Sequence, residues 1–443
     1  MIYDPLISDF PSQQAWPHSY WSSTVDHPTR QVSLSGTKQV DVAIVGGGYT
    51  GLLTAYYLAS LYNVDCCVLE ANQVGFGASG RNAGFVLKGS GRLGYQQMNH
   101  KWGMEITQGI YQEFSAAVHR VEQLIDSHNI DCDMQAKGYL KIAHNLKAYK
   151  TLKTAANFIS TYLGDDAEFL TKEELTANYM NNKQAYGALR LADGFGVNPL
   201  KLVTAYKKIV SQLGVTVYES SCVKKWLREN NQHRLMTDDG EVIAKQVITA
   251  GNAYTPKQFS PLLDNRFLPI LSNIIVTQPL TQSQLLDSGL ATHQVTMDTR
   301  LLKYYYRLMP DNRLLFGGRG AISGKESVDP IYSERLKRAM CDSFPALSQT
   351  KLDYNWTGWI AAAIDDMPHV YNKDGAGYSL GYCGSGVAFS AQAAFRLAQS
   401  IAGISLPNLP LYQTHLPKFP YAGFRRLGQR GYYQYAWLKD RYF

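Results

Sequence analysis

Three glycines and one glutamate near the start of the chain are spaced as in sites that bind nucleotide phosphates. Gly46, Gly48 and Gly51 form the pattern GxGxxG, and Glu70 follows 19 residues after the last of them. Glycine at these positions allows a tight turn, a close approach of the backbone to a pyrophosphate, and close packing of a helix on a strand. An acid at this distance accepts hydrogen bonds from an adenosine ribose. The set therefore predicts a site for an ADP-containing dinucleotide.

The flanking sequence supplies the elements that such a site needs. Residues 40–45 (VDVAIV) and 64–69 (VDCCVL) are short apolar runs typical of buried parallel strands. Residues 52–61 between them predict a helix, whose N-terminus offers unpaired N–H groups and a partial positive charge to phosphates. The alternative is a glycine-rich turn in an α/β core. It is disfavoured because both strands, the helix and the terminal acid occur together.

Two later glycine-rich segments extend the pattern, VLEANQVGFGASGRNAG at 68–84 and GYCGSGVA at 381–388. With VGGGYTG at 45–51, they make the chain resemble the FAD-dependent amine and amino-acid oxidoreductases of the D-amino acid oxidase (DadA-like) superfamily. The resemblance is closest to the branch of γ-glutamylputrescine oxidase and L-pipecolate oxidase. It implies an α/β fold with two parts. One is a Rossmann-like FAD-binding domain of the glutathione-reductase type, and the other is an α+β substrate domain built on a mixed β-sheet.

The same resemblance implies which residues hold FAD. They are Gly46, Gly48, Tyr49, Thr50, Gly51, Glu70, Ala71, Gly77, Ala78, Ser79, Arg81, Asn82, Ala83, Gly84, Val223, Gly251, Asp366, Gly384, Ser385, Gly386 and Val387. Relatives of the sarcosine oxidase type attach FAD through a cysteine at the segment that corresponds to Trp359 and Ile360, where this chain has none. We therefore expect noncovalent FAD. Cys383, the cysteine nearest to the expected flavin segment, is expected to serve in packing.

The third glycine-rich block is expected at the pyrimidine end of the flavin. A helix is predicted over 389–401. A helix N-terminus there stabilises the negative charge that two-electron reduction places on the ring. Many family members have His where this chain has Ser385, so no role that needs an imidazole is expected. Upstream, Asp366 and Pro368 match the D-x-P pattern that the resemblance places beside the flavin.

Arg307 is the first candidate for binding a substrate carboxylate. Amino-acid oxidases of this superfamily use an Arg on the strand over the flavin, and a guanidinium makes two hydrogen bonds to a carboxylate. Tyr305 and its tyrosine neighbours are predicted to line the cavity on alternating faces of this strand. An open alternative places Arg307 on the solvent face of the sheet. Arg319 is the second candidate.

No catalytic acid or base is assigned from the sequence. A positioned pocket can suffice for amine oxidation by flavin. The ten histidines show no cluster along the chain. The lysine that activates oxygen in the sarcosine oxidase branch has no counterpart beside the hairpin predicted at residues 311–312, where Arg313 and Arg319 are the nearby cations.

The pattern divides the chain into two discontinuous domains and two tails. The expected ranges are 1–38 for an N-terminal arm, 39–90, 195–264 and 346–404 for the FAD-binding domain, 91–194 and 265–345 for the substrate-binding domain, and 405–443 for a basic, aromatic tail. A helix from Pro199, capped by Asn198 and stopped at Gly214, is predicted to return the chain to the first domain. Alternating residues over 265–345 predict a half-exposed sheet.

Composition argues against several other classes of protein. The net charge of +7 comes from scattered Lys and Arg residues, which does not indicate nucleic-acid binding. The six cysteines form no CxxC pair and no Cys/His spacing fits zinc, so reduced thiols and no metal are expected. The apolar runs are too short for a membrane span and no secretory signal is evident, so a cytoplasmic protein is expected. The tail either packs on the protein or lies on an anionic membrane; packing is favoured because related branches carry a similar tail.

The resemblance implies an enzyme that oxidises a C–N bond to an imine. The expected substrate is an amino acid, a cyclic imino acid, or a γ-glutamylated or alkylated amine, with oxygen as the acceptor. Two alternatives remain open. One is a dehydrogenase that passes electrons to a quinone and docks through its basic tail. The other is an FAD-binding subunit without turnover of its own, since a fold does not by itself prove turnover.

Overall fold

Two β-sheets organise the structure, a computed structural model that describes residues 3–11, 14–26 and 32–442. The strands are β1 Gly36–Val45, β2 Cys66–Leu69, β3 Phe85–Val86, β4 Tyr139–Ile142, β5 Ala167–Thr171, β6 Gly187–Leu191, β7 Phe195–Gly196, β8 Thr216–Tyr218, β9 Lys225–Glu229, β10 Gln232–Met236, β11 Gly240–Thr249, β12 Leu268–Thr277, β13 Val295–Asp298, β14 Tyr305–Leu308, β15 Leu314–Arg319, β16 Leu352–Ala362, β17 His369–Lys373 and β18 Ala376–Leu380. The α-helices are α1 Tyr49–Tyr62, α2 Ala78–Arg81, α3 Tyr95–Trp102, α4 Met104–Ser127, α5 Leu146–Phe158, α6 Lys172–Asn178, α7 Pro199–Gln212, α8 Gln282–Ser288, α9 Pro330–Ser343, α10 Gly386–Ile401, α11 Pro410–Gln413 and α12 Arg425–Tyr442.

The first sheet contains the predicted β-α-β unit. Its strand order is β17-β18-β11-β1-β2-β8, and β10 and β9 extend it beside β11. β1, β2, β8, β11 and β18 pair in parallel, as expected for apolar strands that are covered on both faces. β1 begins four residues before the predicted start, because its pairing with β11 continues to Gly36 opposite Gly240.

The segment predicted to return the chain to this sheet does so. Asn198 caps α7 as predicted, since its Oδ1 accepts hydrogen bonds from the N–H groups of Leu200 and Lys201, each at 3.2 Å. Pro199 is the first residue of the helix. The helix ends two residues before Gly214, which has φ +84°. β8 then pairs with β2, so this segment forms the edge of the first sheet.

The second sheet has the order β16-β12-β15-β14-β13-β4-β6-β5. The predicted hairpin joins β14 and β15, and Asn312 in its turn has φ +62°. β16 pairs with β12 along its whole length. The domain boundary expected at residue 346 is therefore corrected, because β16 belongs to the second sheet and the chain returns to the first only with β17. The sequence did not reveal this pairing because β12 lies far upstream.

The N-terminal arm lies against both sheets. The Trp21 side chain is fully buried, and its indole N–H donates to the Asn82 carbonyl at 2.9 Å. The Tyr3 hydroxyl donates to the Tyr254 carbonyl, also at 2.9 Å. Residues 1–2, 12–13 and 27–31 of the predicted arm lie outside the described residues. The described part is irregular, as expected, but it is packed on the glycine-rich segment 68–84 and on Tyr254.

The C-terminal tail folds into α12 and packs on the protein, which is the alternative that the sequence favoured. Ala436 is fully buried, and Arg426 forms an ion pair with Asp4 at 2.7 Å. Within residues 3–11, 14–26 and 32–442, no helix combines the length and the apolar content that a membrane crossing requires.

Candidate active site

The first glycine loop connects β1 to α1 with the geometry that its sequence predicts. Gly46 has φ +117°, and a Cβ there would lie 2.7 Å from the carbonyl carbon of Ala250. A Cβ on Gly51 would lie 1.9 Å from the Gly46 carbonyl oxygen. Gly46 thus makes the turn out of the strand, and Gly51 lets the helix pack on it.

The N-terminus of α1 opens into a long cleft. Gly48 is its N-cap and provides no capping side chain, and no acid lies in the first turn. The Tyr49 N–H donates to Ser79 Oγ at 3.0 Å, which brings the second glycine-rich segment onto this helix end. The partial positive charge of the helix is therefore left for a ligand in the cleft.

Glu70 lies at the end of β2 and also faces the cleft. Its Oε2 accepts from the Gly47 N–H at 2.7 Å and its Oε1 accepts from the Asn72 N–H at 2.9 Å. Burial raises the pKa of this carboxyl, and the hydrogen bonds from Asn72 and Gly47 oppose the shift. Glu70 therefore fixes the glycine loop and still has acceptor capacity, since each carboxylate oxygen can accept more than one hydrogen bond.

A second helix N-terminus faces the other end of the cleft. Gly384 has φ +111°, and Gly386 begins α10. Ser385 is the N-cap, but its hydroxyl donates to the Tyr382 carbonyl at 2.9 Å and does not cap the helix. No acid lies in the first turn of α10. This end of the cleft is therefore suited to an anionic group, without any imidazole.

Most of the predicted cofactor residues meet in this one cleft. Those on its lining are Gly46, Gly48, Tyr49, Thr50, Glu70, Ala71, Gly77, Ala78, Ser79, Asn82, Val223, Gly251, Gly384, Gly386 and Val387. The six that are not on its lining are Gly51, Arg81, Ala83, Gly84, Asp366 and Ser385.

Three of these six have other contacts that explain their places. Arg81 Nε donates to the Phe76 carbonyl at 2.7 Å, so this guanidinium fixes the loop and does not face the cleft. Gly84 has φ +72°, and a Cβ there would lie 1.9 Å from the Val197 carbonyl oxygen. Asp366, at φ +61°, forms an ion pair with Arg92 at 2.9 Å.

The cleft fits an extended dinucleotide in shape and polarity. It extends from Val223 beside Glu70 to Gly386 at α10. Four of its buried polar atoms have no hydrogen-bond partner among the described residues. They are Thr249 Oγ1, Asn252 Oδ1, Thr255 Oγ1 and Ser390 Oγ. Each such atom costs about 1–3 kcal/mol of folding free energy when it stays unpaired. A polar ligand in the cleft that hydrogen-bonds to these atoms would remove this cost.

Arg307, the first candidate for substrate binding, lies elsewhere, and its predicted place over the flavin is corrected. Its side chain is 2% exposed, with Nη1 donating to Gln135 Oε1 and Nη2 to the Val197 carbonyl, both at 2.6 Å. The guanidinium also lies over the Trp21 ring. Burial lowers the pKa of Arg307 to about 9. It joins the second sheet to the arm and to β7, and it is not on the solvent face either.

Arg319 lies on a second cavity that adjoins the cleft. This cavity has a volume of about 630 Å³, and it lies between β12, β15, the segment after β16, and α12. Among the described residues, the Arg319 guanidinium has neither a hydrogen-bond partner nor an ion-pair partner. Tyr305 lies beside it on β14, where its hydroxyl shares a 2.6 Å hydrogen bond with Ser272, the residue that pairs with Arg319. The cavity can therefore offer an unpaired cation to an anionic ligand.

The cleft and the second cavity meet at β16. Ile360 lines the cleft, and Ala362, two residues further along the same strand, lines the second cavity. Ile270, Ala362 and Cys383 form a small buried apolar cluster between the two cavities. Cys383 is a free, buried thiol. A dinucleotide in the cleft and a small molecule in the second cavity would thus come together at an apolar junction.

One buried cation near this junction was not singled out from the sequence. Lys303 Nζ donates to the Gly91 carbonyl at 2.9 Å. Burial lowers the pKa of Lys303 to about 8, and the charge of Lys141 adds to the shift. Lys303 precedes β14 by two residues, and no motif marks it. Only the folded position of the loop from 299 to 304 brings it near Arg319.

The chain is similar to known flavoenzymes over most of its length. The family described as FAD dependent oxidoreductase matches residues 41–400. Gamma-glutamylputrescine oxidoreductase of Escherichia coli is 31% identical over 411 residues, which cover 92% of this chain and 94% of that protein. The probable oxidoreductase OrdL of Haemophilus influenzae is 29% identical, covering 87% of this chain and 88% of that protein. The crystal structure of glycine oxidase from Geobacillus kaustophilus superposes with a TM-score of 0.72 at 18% identity, covering 86% of this chain and 99% of that one.

Proposed function

This chain belongs to the family of FAD-dependent oxidoreductases, and we propose that it oxidises a C–N bond of a carboxylate-bearing amine to an imine. The substrate class comprises amino acids, cyclic imino acids and γ-glutamylated or alkylated amines. The observation that carries the proposal is the unpaired Arg319 on a cavity that adjoins the dinucleotide cleft. An anion held there brings its amine to the junction between the two cavities.

The protein contributes positioning and electrostatics to this reaction. FAD, when bound, supplies a two-electron oxidant for the C–N bond. The N-terminus of α1 and Glu70 hold its ADP half, and the N-terminus of α10 stabilises negative charge at the other end of the cleft. Arg319 binds the substrate carboxylate through charge-assisted hydrogen bonds. The fifteen predicted residues on the cleft lining are our proposed FAD-binding set, and we propose noncovalent attachment.

The chemistry balances without a catalytic acid or base from this chain. The amine must enter neutral; two electrons and one proton pass from it to FAD, and the second proton leaves to solvent as the imine forms. Water then hydrolyses the imine to a carbonyl compound and an amine or ammonia. The apolar cluster of Ile270, Ala362 and Cys383 limits water at the junction, which strengthens the electrostatic interactions there.

Similarity to gamma-glutamylputrescine oxidoreductase supports the class of γ-glutamylated amines in particular. The size of the second cavity agrees with a substrate longer than a small amino acid, and its wall combines aliphatic and aromatic residues with Arg319. A γ-glutamylated amine carries both a carboxylate and an extended aliphatic chain. We propose molecular oxygen as the acceptor, and the location in the cytoplasm stays a prediction.

A steady-state screen tests this function. Oxygen consumption by the purified holoenzyme is measured with amino acids, cyclic imino acids and γ-glutamylated amines, and the carbonyl product is identified by mass. We expect one carboxylate-bearing class to be oxidised with formation of one hydrogen peroxide per carbonyl. Oxidation of simple amines in preference to their carboxylated counterparts would contradict the role of Arg319.

A quinone-linked dehydrogenase is a second candidate, and the outer face of α12 favours it. Tyr435, Trp437 and Leu438 are 48–54% exposed on that face, and Lys439 lies among them. Apolar residues beside cations are typical of helices that lie on anionic membranes. If substrate reduces a soluble quinone analogue but yields no peroxide, and anionic vesicles increase the rate, the dehydrogenase is correct and the oxidase is not.

A further inference from the structure

Helix α12 forms one wall of the second cavity. The cavity is also lined by Leu268 and Ile270 at the start of β12, by Leu302, and by Arg319. On the helix, Gln429, Tyr432 and Tyr433 face it. The C-terminal tail therefore lies where a substrate must bind if the second cavity is the substrate site.

The inner face of α12 combines polar side chains with Ala436, which is fully buried. Its inner face carries Gln429, which is 3% exposed, and the partly buried Tyr433. Its outer face carries Trp437 and Leu438, which are 49% and 48% exposed. A surface helix normally buries its apolar face to stabilise the fold. Because Gln429, Tyr432 and Tyr433 line a cavity, this helix has polar groups in position to contact a ligand there.

Polar anchors fix α12 over the cavity along its length. Near its start, the Arg425 guanidinium donates to the Phe267 carbonyl at 2.7 Å. Near its end, the Asp440 carboxylate accepts from the N–H groups of Leu301 and Leu302 at 2.8 and 3.0 Å. In the middle, Arg92 donates to the Tyr432 hydroxyl at 2.9 Å. These contacts tie the helix to segments on both sides of the cavity mouth.

Two inner side chains of the helix combine with Arg319. Gln429 Nε2 donates to the Tyr433 hydroxyl at 3.2 Å. Burial raises the pKa of Tyr433 and the nearby positive charge of Arg319 opposes the shift, which places the phenol within electrostatic reach of that guanidinium. The hydroxyl is therefore neutral and can donate its hydrogen. Arg319, Tyr433 and Gln429 together offer donors to an anion, and none of them has an acidic partner among the described residues.

We propose that Tyr433 and Gln429 are specificity-determining residues, and that the C-terminal helix completes with Arg319 a binding site for the carboxylate of an aliphatic amine substrate. The role of the site in substrate binding rests on the proposed function. Binding of an anion to the site can be measured without turnover. The aliphatic part of the ligand contacts the apolar wall formed by Leu268, Ile270 and Leu302. The tail thereby selects charged over neutral ligands of the same shape.

Binding of two matched probes to the full-length holoenzyme tests this site. The probes are pentanoate and its neutral amide, pentanamide, and binding is measured by the change in the visible flavin spectrum. The variants are Tyr433→Phe and Gln429→Leu. Tyr435→Phe is the matched control, because Tyr435 is on the same helix and is 54% exposed. Tyr433→Phe removes a hydroxyl donor from the anion site. Gln429→Leu removes the amide that donates a hydrogen bond to that hydroxyl. We expect the Kd of pentanoate to rise about 5- to 10-fold in each, which corresponds to one hydrogen bond.

The selectivity between the probes separates recognition from mere structural support. We expect the Kd of pentanamide to change less than 2-fold in both variants, and neither Kd to change in Tyr435→Phe. Equal Kd values for pentanoate in all four proteins, or an equal loss for both probes, would overturn the proposal. Loss of FAD from both variants would also overturn it, because the helix would then serve the fold and not the ligand. If pentanoate binds as expected but no amine reduces the flavin, the proposed function fails while the anion site stands.

Discussion

Arg319 and Gly384 face each other across the junction of the two cavities. A Cβ added to Gly384 would lie 3.9 Å from Arg319 Nη2. Gly384 lines the dinucleotide cleft and Arg319 lines the second cavity, so the cation for the substrate lies directly beside the loop at the flavin end of the cleft. The account of function depends on this closeness.

Replacement of Arg319 by Met is expected to weaken substrate binding. The variant loses charge-assisted hydrogen bonds to the carboxylate, so KM for a carboxylate-bearing amine should rise about 10- to 100-fold. The ratio of FAD to protein and the Tm should stay the same, because Arg319 has no partner in the described structure. Arg335→Met, on the exposed face of α9, removes the same charge. It should leave KM, the ratio of FAD to protein and the Tm unchanged. An unchanged KM in the Arg319 variant would exclude this residue from substrate binding.

Replacement of Gly46 by Ala is expected to reduce FAD binding. The position has φ +117°, and the new Cβ would lie 2.7 Å from the carbonyl carbon of Ala250, a backbone atom that cannot move aside alone. The purified variant should contain well under half of the wild-type FAD, as measured by the ratio of absorbance at 450 and 280 nm. Gly431→Ala is the control, since nothing lies within 4 Å of its added Cβ; it should keep full FAD. A fully loaded Gly46 variant would argue against the glycine loop as the pyrophosphate site.

Replacement of Arg307 by Met is expected to lower stability without changing substrate affinity. The variant leaves Gln135 Oε1 and the Val197 carbonyl without their donor, and each costs about 1–3 kcal/mol. Thermal denaturation followed by circular dichroism should show a clearly lower Tm, while KM of the folded fraction stays within about 2-fold. The reverse pattern, an unchanged Tm with a raised KM, would restore Arg307 as the carboxylate-binding residue.

Lys303 is expected to make stability depend on pH above neutrality. Its pKa is about 8 in the folded protein and about 10.4 in an unfolded chain. Between these values the unfolded state binds more protons, so this group makes the wild type more stable as pH rises, by up to about 1.4 kcal/mol per pH unit. The Tm of Lys303→Met minus that of the wild type should therefore fall steadily from pH 8 to pH 10 and stay constant below pH 7. A difference that is the same at all these pH values would show that Lys303 titrates normally.

The nucleotide-binding half of the fold was predictable because its signals are local. The glycines at 46, 48 and 51 constrain a turn whose neighbours in sequence are also its neighbours in space. Asn198 and Pro199 fix the start of α7 in the same way. The position of Glu70 follows from the length of one helix between two paired strands. Fifteen of the predicted cofactor residues consequently meet in one cleft.

The substrate side was harder to predict because it depends on long-range packing. Tyr305 and Arg307 are two residues apart and lie on the same face of β14, but the sequence does not say which element covers each end of that strand. The arm covers Arg307 through Trp21, while Arg319 is left at the cavity. The pairing of β16 with β12, and the placement of α12 over the cavity, likewise join segments far apart in sequence. No local motif reports such contacts.

Anaerobic titration of the purified protein with candidate amines measures whether the chain binds FAD and reduces it with a carboxylate-bearing amine. The measured quantity is the flavin absorbance near 450 nm, before and after addition of amino acids, cyclic imino acids and γ-glutamylated amines in the absence of oxygen. We predict a yellow protein whose absorbance is lost on addition of a carboxylate-bearing amine and returns when oxygen is admitted. A colourless protein that takes up no FAD, or a bound flavin that stays oxidised with every one of these compounds, would contradict the account.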